Sequence, residues 1–531
     1  MKNIPFKTLL LLGILMFSAT SFAQIAKKQT LTEAQMKRWS HLDLVSDSVP
    51  GMSVDIAYSK FLKGKKGKKV IVGIVDSGVD IEHEDLKAVI WTNKKEIAGN
   101  GKDDDKNGYI DDIHGWNFLG DIVKENLEYE RILQNKSLVD ETTYLAAKSI
   151  NDKKIVTAQN ARPQLEQMLT GIKTADLTLT TFLKKPTYTI DDLKAIDSKD
   201  QDVIKSGAIM QQMMGYGLSV ENLLKEIKGE YDGFESVLKG ENLTLNYRKV
   251  VGDNPDDITD KKYGDNRVMG PDKSHIDHGT HVAGIVAGVR GNNLGGDGIA
   301  TNVEILAVRA VPDGDEYDKD IALGIRYAVD NGAKVINGSF GKGFSPHKQW
   351  VYDAIKYAES KDVLIVHAAG NETNDIDVDN SFPNDSDDKK TEFADNFLTI
   401  GALNFEYGEN MVAKFSNHGK INVDVFAPGV KIYSTTPNNT YESYDGTSMA
   451  APNVAGVAAL IRSYFPKLTA KQVKHVLMES GTAISLDVVI GGDESNKKPF
   501  ESLSKTGKIV NAFNALKMAE KLSKKGKKLK G

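Results

Sequence analysis

Short runs of β-branched and apolar residues recur along the chain with helix-length amphipathic stretches between them, and this alternation restricts the fold more than any other feature. The runs are "VIVGIV" at 70–75, "VEILAVRA" at 303–310, "AKVINGSF" at 333–340, "DVLIVHAAGN" at 362–371 and "FLTIGAL" at 397–403. Between them lie helical patterns such as "DKDIALGIRYAVDNG" (318–332) and "HKQWVYDAIKYAES" (347–360). Strands that are apolar on both sides are buried on both faces, and strands separated by helices pair in parallel through right-handed crossovers. The expected fold class is therefore α/β, a doubly wound, mainly parallel sheet with helices on both faces.

Residues 121–262 break that rhythm. They are rich in Lys, Glu, Leu and Asp, carry helical patches such as "SVENLLKEIKGEY" (219–231), and offer no buried strand. A mostly helical insertion is expected there, flanked by a main domain at 46–120 and 263–520. At the start, Lys2 and Lys7 precede the apolar run "TLLLLGILMF" at 8–17, and "SFA" at 21–23 supplies small residues. This pattern predicts a signal peptide, 1–23, cleaved after Ala23, and export to the periplasm or outside the cell. Its ten apolar residues fall short of the roughly 20 that span a bilayer, so no membrane span is expected after cleavage. Residues 24–45 form a short N-terminal segment and 521–531 a basic tail. The 531 residues carry 68 Lys and Arg against 73 Asp and Glu, a net charge of −5, which gives no overall basic field for nucleic acid. No Cys is present, so disulfides, thiolate metal sites and a cysteine nucleophile are excluded.

Reactive groups of doubly wound sheets gather beyond the carboxyl ends of the strands. Asp76 stands at such an end, His278 opens the small-residue helix in "HIDHGTHVAGIVAG" (275–288), and Ser448 opens another in "YDGTSMAAPNVAGVAAL" (441–457). A serine hydroxyl at a helix start is by itself a capping group. Beside an imidazole held by a carboxylate it becomes a nucleophile, and an oxyanion then needs donors, for which Asn371 at the end of "VHAAGN" is the candidate.

"VDSGVD", "HGTHVAG", "AAGN" and "GTSMAAP", in the order Asp, His, Asn, Ser, resemble the signature blocks of the subtilisin-like serine proteases, the subtilase family. The likeness covers roughly 45–120 and 263–518. It implies a serine endopeptidase acting through an acyl-enzyme, with Asp76 as orienting acid, His278 as general base, Ser448 as nucleophile and Asn371 as oxyanion donor. It also implies that protein or peptide substrates pair as an added strand with Ser339, Phe340 and Gly341, with Ser381 near the floor of the specificity pocket. Two features depart from the family pattern. Lys342 stands where members commonly carry glycine, and about twenty residues stand where a longer prodomain is usual. A catalytically silent binding protein on the same fold is the alternative, since fold does not fix function. "GTSMA" is not the elbow of an esterase, and no "HExxH" accompanies His275, His278 and His281 to indicate zinc.

"DDDKNGYIDD" at 103–112 resembles a partial calcium loop. Asp103, Asp105 and Asn107 alternate before Gly108, and Asp112 closes the set, so a structural calcium ion is expected, with no organic cofactor.

Overall fold

The computed structural model describes residues 30–215 and 217–528. The expected signal peptide, the start of the N-terminal segment and the last three residues of the basic tail lie outside the described residues. The chain forms two compact units: a larger one that ends at Glu125 and resumes at Tyr247, and a smaller one, Asn126–Asn246.

The larger unit is built on thirteen strands among the described residues: β1 (Val70–Asp76), β2 (Gly115–Asn117), β3 (Val303–Arg309), β4 (Val335–Gly338), β5 (Leu364–Ala368), β6 (Phe397–Leu403), β7 (Val425–Pro428), β8 (Ile432–Thr436), β9 (Thr440–Tyr444), β10 (Thr482–Ala483), β11 (Asp487–Ile490), β12 (Asp493–Pro499) and β13 (Lys508–Ile509). Nine make one sheet in the order β10-β13-β7-β6-β5-β4-β1-β3-β2, parallel except for the β10–β13 edge pair. The pairs β8–β9 and β11–β12 are separate antiparallel hairpins. This is the doubly wound α/β fold that the strand pattern requires.

Both faces of the sheet are covered. On one, Val72 and Ile74 of β1 and Val366 of β5 pack with Val454, Val457, Leu460 and Ile461 of the helix Thr447–Tyr464 and with Val282 and Val286 of the helix Asp277–Ala287. On the other, Val75, Val308, Ile336 and Ile365 meet Ile321 and Ile325 of the helix Asp318–Asp330 and Val351 and Ile355 of Lys348–Ser360. Each fully buried aliphatic side chain contributes about 1.5–3 kcal/mol relative to exposure, so these two layers supply the main stabilising term. Trp39, Leu44, Met52 and Val54 are also buried in the first core, with Trp39 Nε1 donating to Val430 O at 2.9 Å. The segment 30–62 is thus part of the folded unit.

The order β4-β1-β3 matters for function. The chain builds the sheet to one side of β1 with β3 and to the other with β4, so the carboxyl end of β1 opens at the point where the winding reverses.

The smaller unit is helical, with Glu141–Leu183, Gln201–Met214 and Val220–Lys239 as its longest helices. Asp140 caps the first by accepting from Thr143 N at 2.8 Å, and Ser219 caps the third. Ile172, Leu179, Met210, Leu223 and Ile227 form its own apolar core.

Candidate active site

Asp76, the last residue of β1, is 1 % exposed. Its Oδ1 accepts from Ser77 N at 2.8 Å and bonds His278 Nδ1 at 2.6 Å. His278 is the second residue of the helix Asp277–Ala287, and that helix reaches β1 because Gly279 has no side chain. A Cβ there would stand 2.1 Å from Gly78 O and 3.1 Å from Asp76. Gly279 N also donates to Ser77 Oγ at 3.1 Å, which ties the helix start to the strand end. Burial pushes the His278 imidazole down, and the charge and hydrogen bond of Asp76, with a further contribution from Asp277, together push it up by more, so the ring holds its proton more tightly than a free histidine.

Ser448 is the second residue of the helix Thr447–Tyr464; the cap position belongs to Gly446, so the hydroxyl is not used as a cap. Pro452, four residues on, has no N–H to give to the Ser448 carbonyl, and that carbonyl instead accepts from Ser339 Oγ at 2.8 Å. In return Ser448 Oγ donates to Ser339 O at 3.3 Å. The helix carrying Ser448 and the strand end carrying Ser339 are thereby fastened to each other.

Asn371 stands on the other side of this helix start. Its Oδ1 accepts from Thr447 N and Thr447 Oγ1, both at 2.9 Å. Two donors on the oxygen fix the orientation of the side-chain amide, so its NH2 is the group left to donate. Thr447 Oγ1 accepts in turn from Gly370 N at 3.1 Å.

Asp76, Ser77, His278, Ser339, Phe340 and Gly341 line one open cleft. Of the four residues singled out in the sequence, Asp76 and His278 line this cleft in direct contact, while Ser448 is bonded to its wall through Ser339 and Asn371 to the start of the Ser448 helix through Thr447. Lys342, beside Gly341, turns its ammonium to Glu316 O at 2.7 Å and Asp318 Oδ1 at 2.9 Å, while its backbone pairs with Phe382. Ser381 precedes Phe382 and lines a small polar pocket with His367 and Asp385. The three histidines do not converge as metal ligands. His281 is buried, bonded through Nε2 to Glu442 O at 3.1 Å and stacked on Tyr444, and burial drives its imidazole down to about 3.

In the acidic loop, Asp103 and Asp105 come together, but the third carboxylate beside them is Glu96, all three within 4.8 Å of one another. Glu96 is placed by accepting from Asp105 N at 2.9 Å, and its buried Oε2 has no partner among the described residues. Asn107 closes the turn through its backbone N–H, which donates to Asp103 at 3.0 Å and Asp105 at 3.1 Å. Asp112 does not join them. It is fully buried and held by Asn107 Nδ2, Asn93 Nδ2 and Tyr327 OH at 2.9, 2.9 and 2.6 Å, so its role is to anchor the loop to the core. Sequence spacing does not reveal Glu96, because its approach depends on the fold of the loop.

A model described as "Subtilase family" matches residues 67–507. Among curated relatives, a thermophilic serine proteinase of Bacillus sp. (strain AK1) is 43% identical over 187 residues, 35% of this chain and 42% of that protein. Subtilisin DY of Bacillus licheniformis is 38% identical over 213 residues, 39% of this chain and 70% of its own length. Thermitase of Thermoactinomyces vulgaris is 41% identical over 187 residues, 35% and 61% respectively. No described helix is long and apolar enough to cross a membrane. With the family pattern matched over most of its length and the Asp76–His278 contact at the switch point of its sheet, the chain belongs to the subtilase family.

Proposed function

We propose that the protein is an exported serine endopeptidase that hydrolyses peptide bonds in protein or peptide substrates through an acyl-enzyme. The observation that carries this reading is the 2.6 Å bond between Asp76 Oδ1 and His278 Nδ1. It fixes Nδ1 as the protonated ring nitrogen and leaves Nε2 as the base. Rotation about the Ser448 Cα–Cβ bond frees the hydroxyl from Ser339 O and turns it to Nε2. Ser448 Oγ then attacks the scissile carbonyl carbon while its proton passes to His278 Nε2. The carbonyl electron pair moves to oxygen, where Asn371 Nδ2 and the backbone N–H of Ser448 at the helix start stabilise it. Collapse of the intermediate breaks the C–N bond, and Nε2 returns its proton to the leaving amine. Water, deprotonated by the same nitrogen, releases the acyl group and restores Ser448. The peptide lies extended against Ser339, Phe340 and Gly341.

Calcium belongs to the same proposal. Glu96, Asp103 and Asp105 give hard oxygen donors around one point, and the orphaned Glu96 Oε2 fits a cation. The ion would stabilise the native loop, with no part in the reaction.

The test is covalent labelling. A serine-directed phosphonyl reagent is expected to modify Ser448 and to abolish cleavage of unfolded casein, and Ser448→Ala is expected to be unlabelled and inactive. Activity retained in Ser448→Ala refutes Ser448 as the nucleophile, and a wild type that neither cleaves casein nor takes the label leaves a binding role.

A further inference from the structure

Arg309, the last residue of β3, lies opposite Asp76 in the β1–β3 register and is 1 % exposed. Among the described residues no carboxylate forms an ion pair with it. Its guanidinium is bonded instead to neutral oxygens in three directions. Nε donates to Ser77 O at 3.0 Å, one terminal nitrogen to Asn117 Oδ1 at 2.9 Å and Gly120 O at 3.0 Å, and the other to Ile122 O. Room for the group is made by Gly270, with φ at +65°, where a Cβ would stand 2.8 Å from Arg309 Nε. A buried cation without a counter-carboxylate is costly, and here burial lowers the guanidinium to about 10. Only the planar fork of arginine reaches loop oxygens on three sides at once.

The bond that matters is the one to Ser77. That residue makes three others' geometry depend on it: its N–H holds Asp76 Oδ1, its hydroxyl receives Gly279 N beside His278, and its carbonyl is held by Arg309. We infer that Arg309 is a positioning residue that acts through Ser77 to hold the Asp76 carboxylate and the His278 imidazole in register. This inference rests on the proposed Asp76–His278–Ser448 chemistry. Without the guanidinium, Ser77 O loses its buried donor and the Ser77 turn is free to shift. A displacement of about 1 Å in a catalytic constellation costs on the order of 10²-fold in rate. Ser77 lines the same cleft but bonds Asp76, Gly279 and Arg309 rather than Ser339, Phe340 or Gly341, so the effect is expected in kcat rather than in KM.

The full chain is titrated with a phosphonyl reagent, and kcat per labelled Ser448 and KM are measured with a short chromogenic peptide. Arg309→Met is expected to lower kcat per labelled site about 10- to 100-fold with KM within about twofold of the wild type. Arg309→Lys keeps the charge and a donor toward Ser77 O, and is expected to recover to a loss of about 3- to 10-fold. A merely structural arginine would reduce the labelled fraction or the melting temperature and leave kcat per site intact; that result overturns the inference. Should Arg309→Met not fold, Arg309→Lys decides alone, and a wild-type kcat per site in it overturns the positioning role. A wild-type chain that takes no label at Ser448 refutes the proposed chemistry itself, which is distinguishable from a labelled wild type matched by both variants.

Discussion

Asp76→Asn tests what the carboxylate supplies to His278. Both of its hydrogen bonds, from Ser77 N and with His278 Nδ1, fall on Oδ1, while the buried Oδ2 has no partner among the described residues. An amide oxygen placed at Oδ1 accepts both bonds, and the NH2 takes the partnerless position. The substitution therefore keeps the imidazole tautomer and removes the charge. Two unit charges about 4 Å apart interact by about 4 kcal/mol at an effective dielectric of about 20. His278 is 34% exposed, so solvent screening reduces this to about 2–3 kcal/mol. The expected fall in kcat/KM is roughly 30- to 200-fold, since each 1.36 kcal/mol is about tenfold. The pH profile moves with it. In the wild type burial is the largest influence on His278, but the Asp76 charge, its hydrogen bond and the nearby Asp277 together hold the ring above its usual 6.5, and only the neutral ring is a base, so the acid limb of kcat/KM lies above that value. With the Asp76 charge gone, burial meets less opposition and the limb moves to lower pH. The assay is kcat/KM for a chromogenic peptide across the acid limb, normalised to titrated Ser448. An unmoved limb refutes the electrostatic reasoning. A loss of about 10⁴-fold, the size associated with the wrong tautomer, shows that the amide has turned its NH2 to the ring.

Asn371→Leu is expected to lower kcat by about 10²–10³ with KM little changed, because an oxyanion donor acts in the transition state; unchanged turnover removes that role. Chelation is expected to lower the temperature of thermal inactivation of the wild type, and Asp105→Ala or Glu96→Gln to abolish the difference, because an ion bound only to the native state stabilises it. Identical inactivation of the wild type with and without chelator reduces the loop to a turn. Replacing 126–246 by a Gly/Ser linker is expected to leave small-peptide hydrolysis within a few-fold, since the unit has a core of its own, and a loss of soluble or active protein refutes that independence.

The central strands were legible because each is a run of residues apolar on both faces. β3, β4, β5 and β6 fall within the runs that mark them, and β1 passes its run by one residue, Asp76. The sheet edges were not. β2, β10 and β13 have two or three residues, too few to show any period, and they exist only because neighbouring strands offer unpaired edges. The burial of the N-terminal segment has no sequence signal either: Trp39 stands among polar residues, and its place in the same core as Met52 is a property of the tertiary structure.

At the site the division is sharper, and it follows from how closely in sequence the residues that build it are spaced. In "GTSMAAP" several roles share one short block. Thr447 holds Asn371, Ser448 presents its hydroxyl one residue later, and Pro452 withholds the N–H that would have occupied the Ser448 carbonyl. Changing the spacing of these residues breaks the geometry, so the geometry is written as a motif. Glu96 and Arg309 stand outside any such block, the first nine positions from Asp105 and brought to it by the fold of a loop, the second acting through Ser77, 232 positions away. No local pattern constrains such residues. A buried arginine bonded to neutral oxygens is recognisable only once the strands are in place, and the same holds for a glutamate that completes an oxygen cluster from outside its acidic run. Legibility thus measures how tightly the residues that share a site are packed into one short block, since Thr447 and Ser448 are read from their neighbours although their partners Asn371 and Ser339 lie 76 and 109 positions away.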